Sequence, residues 1–333
     1  MKAFVTGSTG LLGVNLVRLL RERGHEVRAL ARSPEKARRL LGDTGAEVVA
    51  GDLEDVDAFA PALGGCDVVF HTAAYFREYF GPGDHWPALE RLNVHATLQL
   101  ARAASRARVR RFVHTGSSSV IGRAKDGAPG DESSPPDRLA QTNLYARSKV
   151  VASERLHALA PELRPLEVVE VLPGWMFGPY DAAPTGSGQL VLDFLQGKLP
   201  GVFEGGASVA DARDVADGML RVAEQGRAGE RYILSGEYAS LVDVMRELAA
   251  LSGRKPPKKL PYPLVLGVAA TSELWARLSG KSTVMTVEGV STMHARNTVS
   301  ASKARTELGA SFRPLAHTLA DEVAWFREAG RVS

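Results

Sequence analysis

Cysteine is nearly absent from this chain: Cys66 is the single one in 333 residues. That excludes an intramolecular disulfide and a cysteine-built metal cluster. The residue precedes the apolar run Val68-Val69-Phe70 and is expected in the core. An excess of charge is missing too, since 41 Lys and Arg face 38 Asp and Glu for a formal charge of +3, and so even a balance gives no reason to expect a polyanion partner. The basic cluster Arg106 to Arg111 lacks interleaved aromatics and reads as a solvated helix end running into a strand, so no nucleic-acid partner is expected. No apolar run is long enough to span a bilayer and no signal-peptide pattern opens the sequence, so no membrane partner is expected and the cytoplasm is the expected compartment. No internal repeat is visible. No side-chain cluster has metal-ligand spacing, so no metal is expected.

What is present is an apolar fraction of 44%, enough for a substantial core, and an opening stretch around which the chain is organised. Lys2 to Thr6 is a β-type run, and Leu11 to Leu20 carries apolar residues at helical spacing. Between them Gly7, Gly10 and Gly13 lie on a sharp strand-to-helix turn, with Thr9, Leu11 and Leu12 beside them. Such glycines permit unusual backbone angles, close approach to a ligand and tight helix-on-strand packing. The free amides at the helix start face an anion, expected to be a dinucleotide pyrophosphate. A second strand, Glu26 to Ala31, follows at the distance a βαβ unit requires.

The tip of that second strand is where such folds inspect the adenosine ribose, by a carboxylate for a free 2′-hydroxyl or an arginine for a 2′-phosphate. No Asp or Glu stands there. Arg32 does, with Arg38 and Arg39 on the next helix, which favours NADP while leaving NAD possible. Strand three, Ala46 to Ala50, leads to Asp52 and Leu53, the carboxylate being a candidate acceptor for the adenine amino group. Strand four, Asp67 to Phe70, ends in His71 and the small residues Thr72, Ala73 and Ala74, which leave room for a cofactor. A long helix from about Pro87 to Arg106 carries Asn93. Strand five, Arg111 to Thr115, ends in Gly116-Ser117-Ser118-Ser119. The alternation predicts a parallel, doubly wound sheet with its ligand crevice at the carboxyl ends of the strands. Gly122 to Thr142 reads as a surface loop. Strand six, Glu167 to Leu172, runs into Pro173, Gly174 and Trp175. Beyond it alternation weakens: helices are expected near Asp214 to Glu224 and Leu241 to Leu251, with a strand at Arg231 to Leu234.

Tyr145 and Lys149 are four residues apart and share one helix face. A free tyrosine, with a pKa near about 10, is a poor acid or base at neutrality. A neighbouring ammonium and the positive ring of an oxidised nicotinamide favour its phenolate and bring it toward the working pH. Ser117, from the end of strand five, is placed to hold a substrate oxygen while hydride moves between the substrate carbon and nicotinamide.

These signals, in this order, resemble the extended branch of the short-chain dehydrogenase/reductase superfamily, the NAD(P)-dependent epimerases, dehydratases and reductases. The likeness covers nearly the whole chain. It includes Thr6 to Gly13, Gly51-Asp52-Leu53, His71 to Ala74, Asn93-Val94, the serine cluster, Tyr145 to Lys149 and Pro173 to Pro179. It implies a doubly wound parallel Rossmann sheet over residues 1–178, with elements near 208–235 returning to it, and a smaller mixed α/β substrate lobe over 179–333. Val27 to Pro34 and Pro173-Gly174-Trp175 resemble dihydroflavonol-reductase-like bacterial members. That implies phosphate recognition by Arg32 with Arg39 as the second contact, cofactor contacts by Tyr145, Lys149, Pro173 and Gly174, and a supporting role for Asn93 in the proton relay.

One departure stands out. Relatives carry Thr-Ser-Ser where this chain has Thr115-Gly116-Ser117, so Ser117 falls on the catalytic position and Ser118 is the alternative if the loop shifts by one. The leading expectation is NADP-dependent reduction of a ketone or aldehyde, reversible as alcohol oxidation. The alternatives are a nucleotide-sugar epimerase or dehydratase and, third, a non-catalytic NADP sensor. The resemblance also implies a homodimer joined through the helices of Asn93 and Tyr145.

Overall fold

The computed structural model describes residues 1–76, 83–124, 127–279 and 285–332. The first half alternates as its pattern requires: β1 (Lys2–Thr6), α1 (Leu11–Glu22), β2 (Glu26–Ala31), α2 (Pro34–Leu41), β3 (Glu47–Ala50), α3 (Val56–Phe59), β4 (Val68–His71), α4 (Trp86–Leu89), α5 (Ala96–Arg106) and β5 (Arg111–Thr115). There follow α6 (Arg138–Thr142), α7 (Leu144–Leu159), β6 (Glu167–Pro173), β7 (Trp175–Phe177), α8 (Gly186–Leu195), β8 (Gly201–Val202), β9 (Gly206–Asp211), α9 (Ala212–Gln225) and β10 (Arg231–Leu234). The chain closes with β11 (Tyr238–Ser240), α10 (Leu241–Ser252), β12 (Lys258–Lys259), α11 (Tyr262–Ser279), α12 (Val287–His294), α13 (Ser302–Leu308) and α14 (Leu315–Glu328).

Seven strands form one parallel sheet in the order β10-β6-β5-β4-β1-β2-β3. The order reverses at β1 and β4, so a crevice opens there at the strands' carboxyl ends. Each face of the sheet is covered, which is why its central strands are apolar on both sides. On one face α1, α9 and α13 pack Leu16, Val17, Leu20, Val215, Met219 and Leu308 over Val5, Val113 and Val171. On the other, α5 and α7 set Leu100, Ala104 and Leu156 over Phe4, Val69 and Phe112. Each such fully buried Leu, Val or Phe is worth about 1.5–3 kcal/mol. Cys66 is buried in this second layer.

A three-stranded sheet, β11-β9-β7, and the pair β12-β8 build the remainder with α8, α10, α11, α12 and α14 around Phe177, Val244, Leu248, Leu319 and Phe326. β10 itself belongs to the large sheet, beside β6.

Three sequence expectations need correction. The helix expected from Pro87 to Arg106 is α4 and α5 joined by a π-helical stretch, Glu90–His95, which widens the backbone around Asn93. The stretch Gly122 to Thr142 is not simply a surface loop: Gly130 bridges Val299, Ser134 is buried, and its last five residues are helical. In the basic cluster, Arg111 is buried, bound to Glu167 at 2.5 Å and to the carbonyls of Val222 and Ala223. A guanidinium with so many acceptors is satisfied without water.

Candidate active site

The turn after β1 has the geometry its glycines call for. Gly7 sits at φ +66°, and a Cβ there would stand 2.6 Å from the Ala73 amide and 2.7 Å from Thr72 Oγ1. Any side chain at Gly13 would run into the Gly7 carbonyl, so α1 lies directly on the strand end. Ser8 Oγ ties the turn to β2 by donating to the Leu30 carbonyl at 2.8 Å, and Thr72 Oγ1 ties it to β4 by donating to the Thr6 carbonyl at 2.7 Å.

Gly10 caps α1 with no side-chain bond, and the first turn, Leu11-Leu12-Gly13, carries no acidic residue. Its amides are left for an anion. Thr9 borders the same turn half-buried, and Ala73 and Ala74 line its β4 side. Arg32, just past the end of β2, and Arg39, on α2, are exposed, while Asp52 holds its turn by accepting from the Glu54 amide at 3.1 Å and Leu53 is buried behind it. Pro173 ends β6, and the Gly174 amide donates to the Leu234 carbonyl at 3.2 Å. These residues fit a dinucleotide: a cradle without side chains for the pyrophosphate, and cations where a ribose phosphate would lie.

α7 begins at Asn143, whose side chain accepts from the Ala146 amide at 2.7 Å, while Glu288 of α12 accepts from the Leu144 amide at 2.8 Å. Both oxygens satisfy open helix donors and complement the positive end of the dipole. This fixes Tyr145 in the first turn. The ring is half-buried, with Phe76 edge-on at 4.8 Å between centroids. Burial pushes its phenol above the ordinary range.

Lys149, one turn on, is buried, donates to the Thr115 carbonyl at 2.8 Å, and has its Nζ 5.9 Å from the centre of the Tyr145 ring. Burial brings its ammonium down to about 8, against the opposing charge of Glu170. Ser117 caps the short turn Ser118–Val120; its Oγ accepts from the amide and the hydroxyl of Ser119, at 3.2 and 2.8 Å. Its own proton is therefore free for a further acceptor. The carbonyl of Ser118, in contrast, accepts from Asn297 at 3.2 Å, which ties the alternative residue's backbone to the later lobe.

Asn93 is buried in the π-helical stretch. Its Oδ1 accepts from the Tyr75 amide at 2.7 Å, and its Nδ2 donates to the Tyr75 carbonyl at 3.2 Å and to Ser148 Oγ at 3.0 Å. The side chain is thus committed to holding the segment after β4 against α7. His71 bridges the hydroxyls of Thr6 at 2.8 Å and Thr97 at 2.9 Å, and burial, then the charge of Lys149, take it down to about 3. It is a neutral, satisfied histidine.

Sequence reading missed a polar group inside the sheet: His114 on β5 and Glu170 on β6, paired in register, with Ser153 and His157 above them on α7. Two polar residues in otherwise apolar strands were the available signal. Among the described residues no group of three His, Cys, Asp or Glu could hold a metal ion, and no helix is long and apolar enough to cross a membrane.

A model of the NAD dependent epimerase/dehydratase family matches residues 3–235. The chain is 35% identical over 336 residues to a putative dihydroflavonol 4-reductase of Synechocystis sp., covering 99% of this chain and 95% of the relative. It is 32% identical to sterol demethylase protein B of Methylococcus capsulatus, covering all of both. Among solved structures, gox2253 superposes with a TM-score of 0.84 at 35% identity over 99% of each chain.

Proposed function

The chain belongs to the NAD dependent epimerase/dehydratase family, and from that premise we propose that it is an NADP-dependent reductase of a ketone or aldehyde, with Ser117, Tyr145 and Lys149 as its proton-handling site. One observation carries the reading. A lysine held near the neutral range stands one helical turn from a half-buried phenol, over a strand end whose serine hydroxyl has a proton to give.

A bound NADPH supplies the hydride. The chain's own residues do the rest: Ser117 donates a hydrogen bond to the substrate oxygen, Tyr145 gives that oxygen its proton, and the Lys149 ammonium lowers the cost of phenolate. Asn93 keeps the wall after β4 fixed to α7, which holds the acid within the short distances that proton transfer demands. Arg32, with Arg39 as the second contact, receives the ribose phosphate, for which a guanidinium offers a paired hydrogen-bonding edge. Trp175, edge-on to Phe177 at 4.6 Å, and Phe76 give the substrate an apolar wall. The parts of 179–333 that do not return to the large sheet supply the substrate lobe, and the contact of Glu288 with Leu144 joins that lobe to the helix that carries the acid.

The likeness to the reductase-named relative and the full-length coverage support this reading. As in the sequence expectation, the unit is a homodimer through α5 and α7, which lie side by side with Gln99, Arg102 and Arg155 exposed; light scattering at one subunit's mass across concentrations would reject it.

The test is stoichiometry on a carbonyl panel. One NADPH oxidised per alcohol formed is expected. Inversion of a nucleotide sugar without net loss of reduced cofactor would replace the reductase by an epimerase. Binding of NADP with neither reaction would leave a sensor.

A further inference from the structure

Lys149, Ser153 and His157 stand on successive turns of α7 and share one face. Below that face Glu170 of β6 is fully buried. Its Oε2 accepts from Ser153 Oγ at 2.6 Å and lies 3.5 Å from Nε2 of His157, while its Oε1 lies 3.8 Å from Nε2 of His114 on the neighbouring strand. Both ring nitrogens of His114, Oε1 of Glu170, Nε2 of His157 and Oγ1 of Thr115 are buried with no hydrogen-bond partner among the described residues. Unpaired polar atoms are rare in folded proteins, and a cluster of them in one place calls for a role. Residue 116 has been shaped to the carboxyl as well: a Cβ on Gly116 would stand 2.6 Å from Glu170 Oε1. The glycine that breaks the family's serine pair is the space the buried acid occupies.

We propose that Glu170, His114 and His157 form a proton-exchange path that reloads Lys149 from solvent. The path starts at His157, whose side chain is 27% exposed, crosses Glu170 and then His114, and ends at the next residue, Thr115, whose carbonyl holds Lys149. It rests on the reading of Tyr145 and Lys149 given above. In reduction each turnover removes one proton from the site. The Tyr145 O–H breaks as the product O–H forms, and a Lys149 N–H breaks as the phenol re-forms. The Glu170 carboxylate takes a proton from the His157 imidazolium and hands it to one ring nitrogen of His114 as the other ring nitrogen releases its own proton to the Lys149 amine; Glu170 is again a carboxylate, His114 again neutral, and His157 takes a new proton from solvent. No electron changes hands in these steps.

The groups facing the path are few. β4 contributes His71, stacked on His114 at 5.6 Å; β5 contributes His114 and Thr115; α7 contributes Lys149, Ser153 and His157; β6 contributes Glu170. From the turn before β10, Glu230 faces His157, and it is itself paired with Lys303 of α13. Burial, helped by the charge of Lys149, keeps His114 neutral, with one nitrogen able to accept and the other to donate. The charge of the Glu170 carboxylate raises the proton affinity of Lys149.

The experiment compares the wild type with Glu170→Gln and with His157→Gln, the second being partly exposed and safe for folding. Side-chain nitrogen NMR of the full chain without substrate follows Lys149. In wild type its midpoint is expected at about 8, and in Glu170→Gln it is expected to fall by about one pH unit or more. On a turned-over carbonyl, the alkaline limb of kcat should move down by the same amount with KM unchanged. His157→Gln should slow turnover by about threefold or more at low buffer, with recovery on adding imidazole. A Lys149 midpoint unmoved in Glu170→Gln, or a His157→Gln enzyme insensitive to buffer, overturns the path. If no carbonyl is turned over, the reductase reading fails while the Lys149 titration still decides this one.

Discussion

Gly116 and Glu170 fit against each other across β5 and β6 so closely that one added methyl group on the glycine would stand 2.6 Å from the carboxyl oxygen and 2.6 Å from the end of Leu172. Restoring the serine found in relatives is therefore expected to harm this protein. Gly116→Ser should lose about 1–3 kcal/mol in chemical unfolding, the scale of overpacking in a close-packed core. Glu170→Ala in the same chain should recover at least half of that loss. Equal losses in the single and double variants would separate the two residues.

The cofactor's phosphate should be read at the tip of β2. Arg32→Ala is expected to weaken NADP binding by about 10- to 100-fold and to leave NAD binding within a factor of about two, because only the phosphate uses the guanidinium. Arg39→Ala should follow the same direction with a smaller change. Fluorescence titration with both dinucleotides checks it, and equal losses for the two would remove phosphate recognition from these residues.

How much of this was legible beforehand follows the physics of each part. The strands β1, β2, β5 and β10 were readable to the residue, because doubly buried parallel strands are short apolar runs bounded by turn residues. The glycine turn was read from its place between a strand and a helix, and the pair Tyr145 and Lys149 from its spacing together with the serines that end β5 and with that turn; spacing alone signals neither. The π-helical stretch at Asn93 was not, since one extra residue in a turn leaves the apolar face intact. Strands β7, β8, β11 and β12 are two or three residues long, too short to show a period of two. The meeting of His114, Glu170 and His157 depends on the register of β5 with β6, 56 residues apart in the chain, and on where α7 packs over them, which no local pattern reports.

Glu322 of α14 predicts a pH dependence of stability. It is buried, with one oxygen accepting from the Gly178 amide at 3.2 Å and the other without a partner among the described residues. Burial first, then Asp181, raises its carboxyl well above the usual range. An acid raised in the fold costs nothing at pH values below its unfolded pKa, and its penalty grows as pH climbs from there toward the folded value. Glu322→Gln should thus raise Tm by roughly 2 °C or more at pH 8, with the gap closing toward pH 4.5. A gap independent of pH would contradict this.

On the proposed function, Lys149 is expected to set the alkaline limb of carbonyl reduction. The ammonium form supports proton delivery, and burial places its loss at about 8. In the free enzyme kcat/KM for carbonyl reduction should fall above that pH, approaching about tenfold per unit. A flat profile to pH 10 would show that the lysine's charge is not needed.

The most direct measurement is single-turnover transfer from NADPH carrying deuterium on its reactive carbon to a carbonyl substrate, in wild type and in Tyr145→Phe. The account predicts deuterium on the carbinol carbon in wild type, and in the variant a rate lower by about 10²–10⁴-fold with NADPH affinity preserved. Undiminished transfer in Tyr145→Phe would contradict it.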